Sequence, residues 1–208
     1  SNEENTAAAA QAPLAHALVT VISKCSQIKN PTVKKELLNS SIKSLGKYAY
    51  HQEVDPSLNS AAWICNTLRT EPESAINSIE CIRDASVASK TMSESLVEQT
   101  AIELIAWKMN QNSQDDHVQQ LGMEAIGNIV QSVGYAKVKD RIKAAGVEKL
   151  VKRMVKETLL ATDDYDTSSA VNGLKMISSM DEEALAENDL VDVTVEVLTQ
   201  QCFNEQHK

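Results

Sequence analysis

From His117 to Val155 the chain reads HVQQLGMEAIGNIV, then a short break, then KVKDRIKAAGVEKLVKRMV, and this stretch constrains the fold more than any other. Three helical patterns of unequal length follow one another, separated by Gly134 and Gly146. Glycine enters the left-handed backbone conformation that ends a helix at little cost, so it marks where one pattern stops and the next begins. Ile142, Ala145 and Val147 bracket the second break with apolar groups. Beyond it Val147, Leu150, Val151, Met154 and Val155 recur at i, i+3 and i+4, the core stripe of an amphipathic helix. The expected order is a long helix, a short helix, a tight glycine turn and another long helix. Units of this kind bury their apolar faces on neighbours of the same kind, so a chain built from them stacks.

Composition points the same way. Apolar residues make up 42% of the 208, enough for a continuous core, while aromatics are 3% and only 6 Gly and 4 Pro occur. Such a chain is poor in strand and turn formers and rich in helix formers, which predicts an all-α fold. The net charge of −9 works against general nucleic-acid binding, because phosphates are repelled. No apolar run approaches the roughly 20 residues that span a bilayer, and no secretory signal pattern opens the chain. Cys25, Cys65, Cys81 and Cys202 are widely spaced, each within a helical apolar pattern, and read as reduced core residues. A cytoplasmic or nuclear setting follows. Residues 1–11 are polar and Ala-rich and are set outside the fold as a disordered segment; 12–203 form the helical repeat domain and 204–208 a C-terminal tail.

Working outward, the same order of helices can be laid along the rest. Leu174 and Ile177, on a helix expected over Asp166–Met180, stand 48 residues after Ile126 and Ile129. A short helix Glu182–Glu187 follows. Then Leu190, Val193, Thr194, Val197 and Leu198 repeat the apolar phase of Val147–Val155, each shifted by 43. The alternation in Leu190–Val197 is also strand patterning, but the shared phase assigns it to a helix. Upstream, Ile79 and Ile82 on Pro72–Ser86 precede Ile126 and Ile129 by 47, and Ile42 and Leu45 on Thr32–Tyr48 lie a further 37 earlier. Between these lie helices expected at Pro13–Ile28, Pro56–Thr70 and Glu94–Asn112. Pro13, Pro56 and Pro72 suit a helix's first turn, and Asp55, Ser93 and Asp115 suit N-caps. The uneven intervals describe about four divergent units, incomplete at both ends. Trp63 and Trp107, 44 residues apart and each three residues before an Asn, fit this register as buried packing between units.

The Ala125-Ile126-Gly127-Asn128-Ile129-Val130 helix, the Ile142–Gly146 turn and the Val147–Val155 helix together resemble the armadillo repeat. The resemblance is specific over His117–Val155 and loose over the remainder. It implies a right-handed superhelix of about four divergent armadillo-like repeats, whose third helices line a concave groove. In importin alpha, similar in general layout, those helices carry a Trp and, four residues later, an Asn that holds an extended peptide's backbone. The matching positions here are Ser40 and Ser44, Asn77 and Cys81, Glu124 and Asn128, and Asn172 and Met176. Only Asn128 keeps the Asn and no position keeps the Trp, so a nuclear-import receptor of that type is not expected. The resemblance implies a protein or peptide partner held by these eight residues, no cofactor and no catalysis.

Other motifs are weaker. Asp164-Tyr165-Asp166-Thr167 resembles the nucleophile loop of haloacid-dehalogenase phosphotransferases, but that chemistry needs a buried parallel strand, and no alternation of strand and helix exists here. His16, His51, His117 and His207 share no metal-binding spacing. No nucleophile elbow or phosphate-binding loop occurs. In an acidic chain the run Lys137, Lys139, Arg141, Lys143, Lys149, Lys152, Arg153 and Lys156 stands out. Helix phase turns Lys149, Lys152, Arg153 and Lys156 outward. This is either an ordinary solvated face or an electropositive patch for an acidic protein, a phosphopeptide or anionic lipid. The reading best supported is a non-enzymatic interaction module or adaptor. The alternatives are an oligomerisation or autoinhibitory segment of a larger signalling or cytoskeletal protein and, last, a helical-repeat enzyme.

Overall fold

The computed structural model of the chain describes residues 2–51, 54–160, 192 and 195, with side chains over 13–51, 54–55, 57–155, 192 and 195. Among the described residues it forms nine α-helices and no strand. Contacts divide the chain into two compact units, Ser1–Leu104 and Ile105–Lys208.

In the first unit α1 spans Asn2–Lys24, with Pro13 inside it rather than in its first turn. The Ala7–Ala10 run, the strongest helix former in the chain, carries the helix upstream of the expected start, so the stretch up to Gln11 is continuous with α1. Ala15, Val19 and Ile22 supply its buried stripe. The next helix, α2 (Pro31–His51), opens on Asn30, whose Oδ1 accepts the amides of Thr32 at 3.0 Å and Val33 at 3.2 Å. Leu38, Ile42, Leu45 and Ala49 line its buried side at helical spacing.

The helix expected over Pro56–Thr70 is split. Asp55 does act as a cap, accepting from the Ser57 amide at 2.9 Å, but it caps a single turn at Pro56–Leu58. Asn59 then takes a left-handed conformation (φ 51°) and α3 runs over Ser60–Thr70. Asn tolerates that region better than most side chains. Pro72–Ser74 likewise forms one turn before α4, Ala75–Ala88. Glu94–Asn112 also divides, into α5 (Lys90–Glu98) and α6 (Ala101–Gln111), at Thr100 with φ 62°. The cap of α5 is Ser89, which accepts the Met92 amide at 3.2 Å, and not Ser93, which is buried and donates to the Ser86 and Ser89 carbonyls.

The first unit is organised by α2 lying along α4. Lys34 Nζ meets Glu71 Oε1 at 2.6 Å and Lys35 meets Glu73 at 2.9 Å. Further along both helices, Gly46 packs so close that a Cβ there would stand 2.9 Å from the Cα of Cys81. Both sets of partners advance in chain order, so the helices are parallel.

In the second unit α6 continues past Ile105 and is followed by α7 (Asp116–Val133), α8 (Tyr135–Ala145) and α9 (Val147–Leu160). Asp115 caps α7, accepting the Val118 amide at 3.1 Å. Gly146 closes α8 at φ 69°, ψ 24°, and α9 starts immediately after it. Gly122 of α7 lies against Met109, where a Cβ would come within 2.6 Å of Cγ and Sδ. Beside that contact the buried Gln119 amide donates to the carbonyls of Met109 (2.7 Å) and Asn112 (3.0 Å) and accepts Arg153 Nη2 at 2.7 Å. Three helices are tied by one side chain, with both ends of the amide satisfied.

The expected elements Asp166–Met180 and Glu182–Glu187, the Asp164–Thr167 motif, Cys202 and His207 lie outside the described residues. Within Leu190–Val197, Asp192 and Val195 are helical and exposed. Cys25, Cys65 and Cys81 are buried free thiols. Burial pushes the Cys65 thiol up to about 12 and raises that of Cys81 further from the ordinary thiol range. No described helix is long and apolar enough to cross a membrane.

Candidate partner-binding faces

The candidate groove residues fall on three helices. On α2, Ser40 and Ser44 are exposed, and Val33 and Leu37 precede them at helical spacing on the same face, each 42% exposed. That face is opposite the Leu38–Ile42–Leu45–Ala49 stripe. On α4, Asn77 is half-buried and reachable. Cys81 is not. It is 1% exposed, and its backbone carries the contact with Gly46, so its place among groove residues is corrected: it belongs to the α2–α4 seam. The reason is phase, since Ser78, Cys81, Ile82 and Ala85 fall at i, i+3, i+4 and i+7 and all are buried.

On α7, Glu124 and Asn128 are half-buried, one turn apart on a common face. Gln120 Nε2 approaches Glu124 Oε1 at 3.5 Å, the outer limit of a hydrogen bond. Ile126, Ile129 and Val130 are buried behind them. Asn172 and Met176 lie outside the described residues.

The basic run differs from expectation in a specific way. Leu150, Val151 and Met154 are buried and Lys149 is exposed, as helix phase predicts. Lys152 and Arg153, expected to stand outward, are half-buried instead, and the Lys156 side chain is not among those described. Arg153 turns inward because Gln119 offers its guanidinium a buried acceptor, a charge-assisted bond stronger than a neutral one. Lys137, Lys139, Arg141, Lys143, Lys152 and Arg153 all hold further polar or electrostatic interactions. Neighbouring Glu148 is itself buried and accepts the Tyr135 hydroxyl at 3.4 Å. Much of this charge is therefore engaged with the protein itself.

The tryptophans also depart from the expected burial. Trp63 is half-buried, whereas Trp107 is exposed. The α6 stripe Ile102, Ile105, Ala106 and Met109 leaves Trp107 off the buried side. Next to it Lys108 is buried, its ammonium 4.7 Å from the indole centroid. Sequence reasoning passed over Lys108, whose signal is a cation set next to one of two tryptophans.

No protein-family model matches this chain. No curated protein matches it either. Among solved structures, the chain is similar to the crystal structure of an engineered protein, a Northeast Structural Genomics Consortium target. The two share 20% sequence identity at a TM-score of 0.64, over 89% of this chain and 72% of that one. At that identity the likeness concerns fold alone, and with the helices described above it makes this an all-α chain.

Proposed function

We propose that the chain is a set of armadillo-like helical repeats that binds a partner segment through polar side chains on the third helix of each repeat, without catalysing a reaction. The observation that carries this reading is the register of α2 on α4. The contacts Lys34–Glu71, Lys35–Glu73 and Gly46–Cys81 all lie close to the interval that separates Ile42 and Leu45 from Ile79 and Ile82. Equivalent helices of successive repeats lie side by side in stacked arrays, and a parallel pair whose contacts track the apolar phase supports that arrangement. The left-handed Gly146 between α8 and α9 supports the same reading, because it stands where an armadillo unit turns.

On this reading Ser40, Ser44 and Asn77 are the rungs of the first unit, and Glu124 and Asn128 those of the second. Hydroxyl and amide groups both donate and accept, so they can hold the backbone of an extended segment with little demand on its sequence. Glu124 favours a Lys or Arg opposite it. The aromatic anchors that dominate tight interfaces are missing from these positions, so affinity is micromolar or weaker.

Selection of peptides from a random display library on the full chain tests this. Enriched peptides should be extended and modestly basic. Changing Glu124→Ala together with Asn128→Ala should abolish their capture while the melting temperature stays nearly constant. Lys149→Glu, an exposed charge off these faces, should leave capture intact. Peptides that ignore the double change but are lost with Lys149→Glu overturn the reading.

A further inference from the structure

The basic run of α8 has no part in the function proposed above. Within Tyr135–Ala145 the helix carries Lys137, Lys139, Arg141 and Lys143 against a single carboxylate, Asp140, in a chain whose net charge is −9. Lys137 and Arg141, and again Lys139 and Lys143, are like charges at i, i+4, an arrangement that costs helix stability unless an anion lies near. Asp140 is exposed, and the ion pairs among the described residues, Lys34–Glu71, Lys35–Glu73 and Arg83–Asp84, all belong to the first unit. Glu148, at the start of α9, is buried and accepts from Tyr135. Each of the four α8 cations nevertheless holds a further polar or electrostatic interaction.

The same compact unit, Ile105–Lys208, contains a stretch of the opposite charge. Residues 181–189 include Asp181, Glu182, Glu183, Glu187 and Asp189 and no Lys or Arg. Spacing matches as well as sign. Glu183 and Glu187 stand four residues apart, as Lys139 and Lys143 do, and follow those lysines by 44 residues each. Glu182 follows Lys137 by 45. These intervals fall between 43 and 48, the shifts that relate the apolar patterns of α9 and α7 to their downstream counterparts. On α2 and α4 the ion pairs Lys34–Glu71 and Lys35–Glu73 join residues at close to the local repeat interval. Stacking by the same rule sets the acidic stretch beside α8.

We infer that the basic face of α8 is a docking surface for residues 181–189 of this same chain, with Lys137, Lys139 and Lys143 set against Glu182, Glu183 and Glu187. An acidic partner from outside must then displace the chain's own carboxylates to reach α8. The register rests on the repeat reading proposed above, whereas peptide capture by Glu124 and Asn128 is not needed for it.

Carbodiimide cross-linking of the full chain tests this, because it joins an amine to a carboxylate only where the two meet. An equal mixture of nitrogen-15 and ordinary chains separates links within a chain from links between chains. At low salt, Lys137, Lys139 and Lys143 should link to Glu182, Glu183 and Glu187 within one chain. In about 1 M salt, where the Debye length is about 3 Å, the yield should fall by about fivefold or more. Lys137→Glu with Lys143→Glu, both at exposed positions, should speed hydrogen exchange of the α8 amides by about tenfold. Adding Glu182→Lys with Glu187→Lys should restore slow exchange. If the first variant does not fold, the links in the wild-type chain decide the matter. Links between chains only, links from these lysines to Asp163, Asp164 or Asp166 instead, yields indifferent to salt, or no recovery in a folded four-site variant would each overturn the inference. Peptide capture without these links would sink this inference alone, and these links without capture would sink the groove alone.

Discussion

Two close helix contacts in this molecule depend on a glycine, and they are built differently. Where α2 lies on α4, Gly46 faces the Cys81 backbone, which cannot move without moving the helix. Where α7 lies on α6, Gly122 faces Cγ and Sδ of the buried Met109, an unbranched side chain whose torsions adapt more readily than backbone. The first contact joins helices that are not consecutive in the chain and is framed by Lys34–Glu71 and Lys35–Glu73 at one end. The second joins consecutive helices and is framed by the buried Gln119 network. The α2–α4 seam is therefore set by backbone shape, and the α6–α7 seam by adaptable side chains plus directional hydrogen bonds.

The sharpest way to break this contrast is Gly46→Val. Its Cβ meets backbone at 2.9 Å, so the α2–α4 seam must open, and a loss of about 3 kcal/mol, at the upper end of overpacking costs, is expected in denaturant unfolding. A loss under about 1 kcal/mol would show that the seam is as adaptable as the other. Gly146→Val comes next. No atom crowds that position, but φ is 69°, so strain alone should cost about 2 kcal/mol. Alkaline titration then probes the first unit. Cys65 ionises near 9.0 when unfolded but only at about 12 when folded, so its thiol has no effect on stability below pH 9, and stability is lost as pH rises above that toward 12. At pH 10 the Cys65 share of the loss should be about 1.4 kcal/mol, and Cys65→Ala should remove that share while leaving the one that buried Cys81 contributes.

The two smallest effects refine the other side. Gly122→Ala should cost about 1 kcal/mol, because Met109 can yield, although Ile105 Cγ2 lies 3.2 Å from the new Cβ. Hydrogen exchange should place the Gly122→Ala loss in the second unit and the Gly46→Val loss in the first. Gly127→Ala should stabilise by roughly 0.5–1 kcal/mol, since a Cβ there meets nothing within 4 Å and the position is helical. Destabilisation by Gly127→Ala would mean that the open side of α7 is covered in solution.

Much of this was legible beforehand, for identifiable reasons. Helix existence, the Asp115 cap, the Gly146 turn and the 37-residue interval all follow from apolar phase and local chemistry, which act over a few residues. The breaks at Asn59 and Thr100 were not legible, because no Gly or Pro marks them. Thr100 in particular is a β-branched residue in a left-handed conformation that its own propensity opposes, so tertiary packing sets it. The Cys81 error was avoidable, since Ser78, Cys81, Ile82 and Ala85 already spell a buried stripe. Arg153 could not have been placed, because its acceptor Gln119 is 34 residues away and nothing in the spacing advertises the pair.

Gln119 also sets how freely the chain can vary in descent. Its amide must give two protons to carbonyls and receive one from a guanidinium, all inside the protein. Glutamate would turn oxygen toward the Met109 and Asn112 carbonyls, methionine would strand all three groups, and asparagine is one methylene short. Neutral drift can exchange surface lysines for arginines and core isoleucines for valines, but this position admits a single letter. A lineage could change it only by changing Arg153 and the end of α6 in concert, and sequences that share this arrangement should carry that glutamine as a common inheritance.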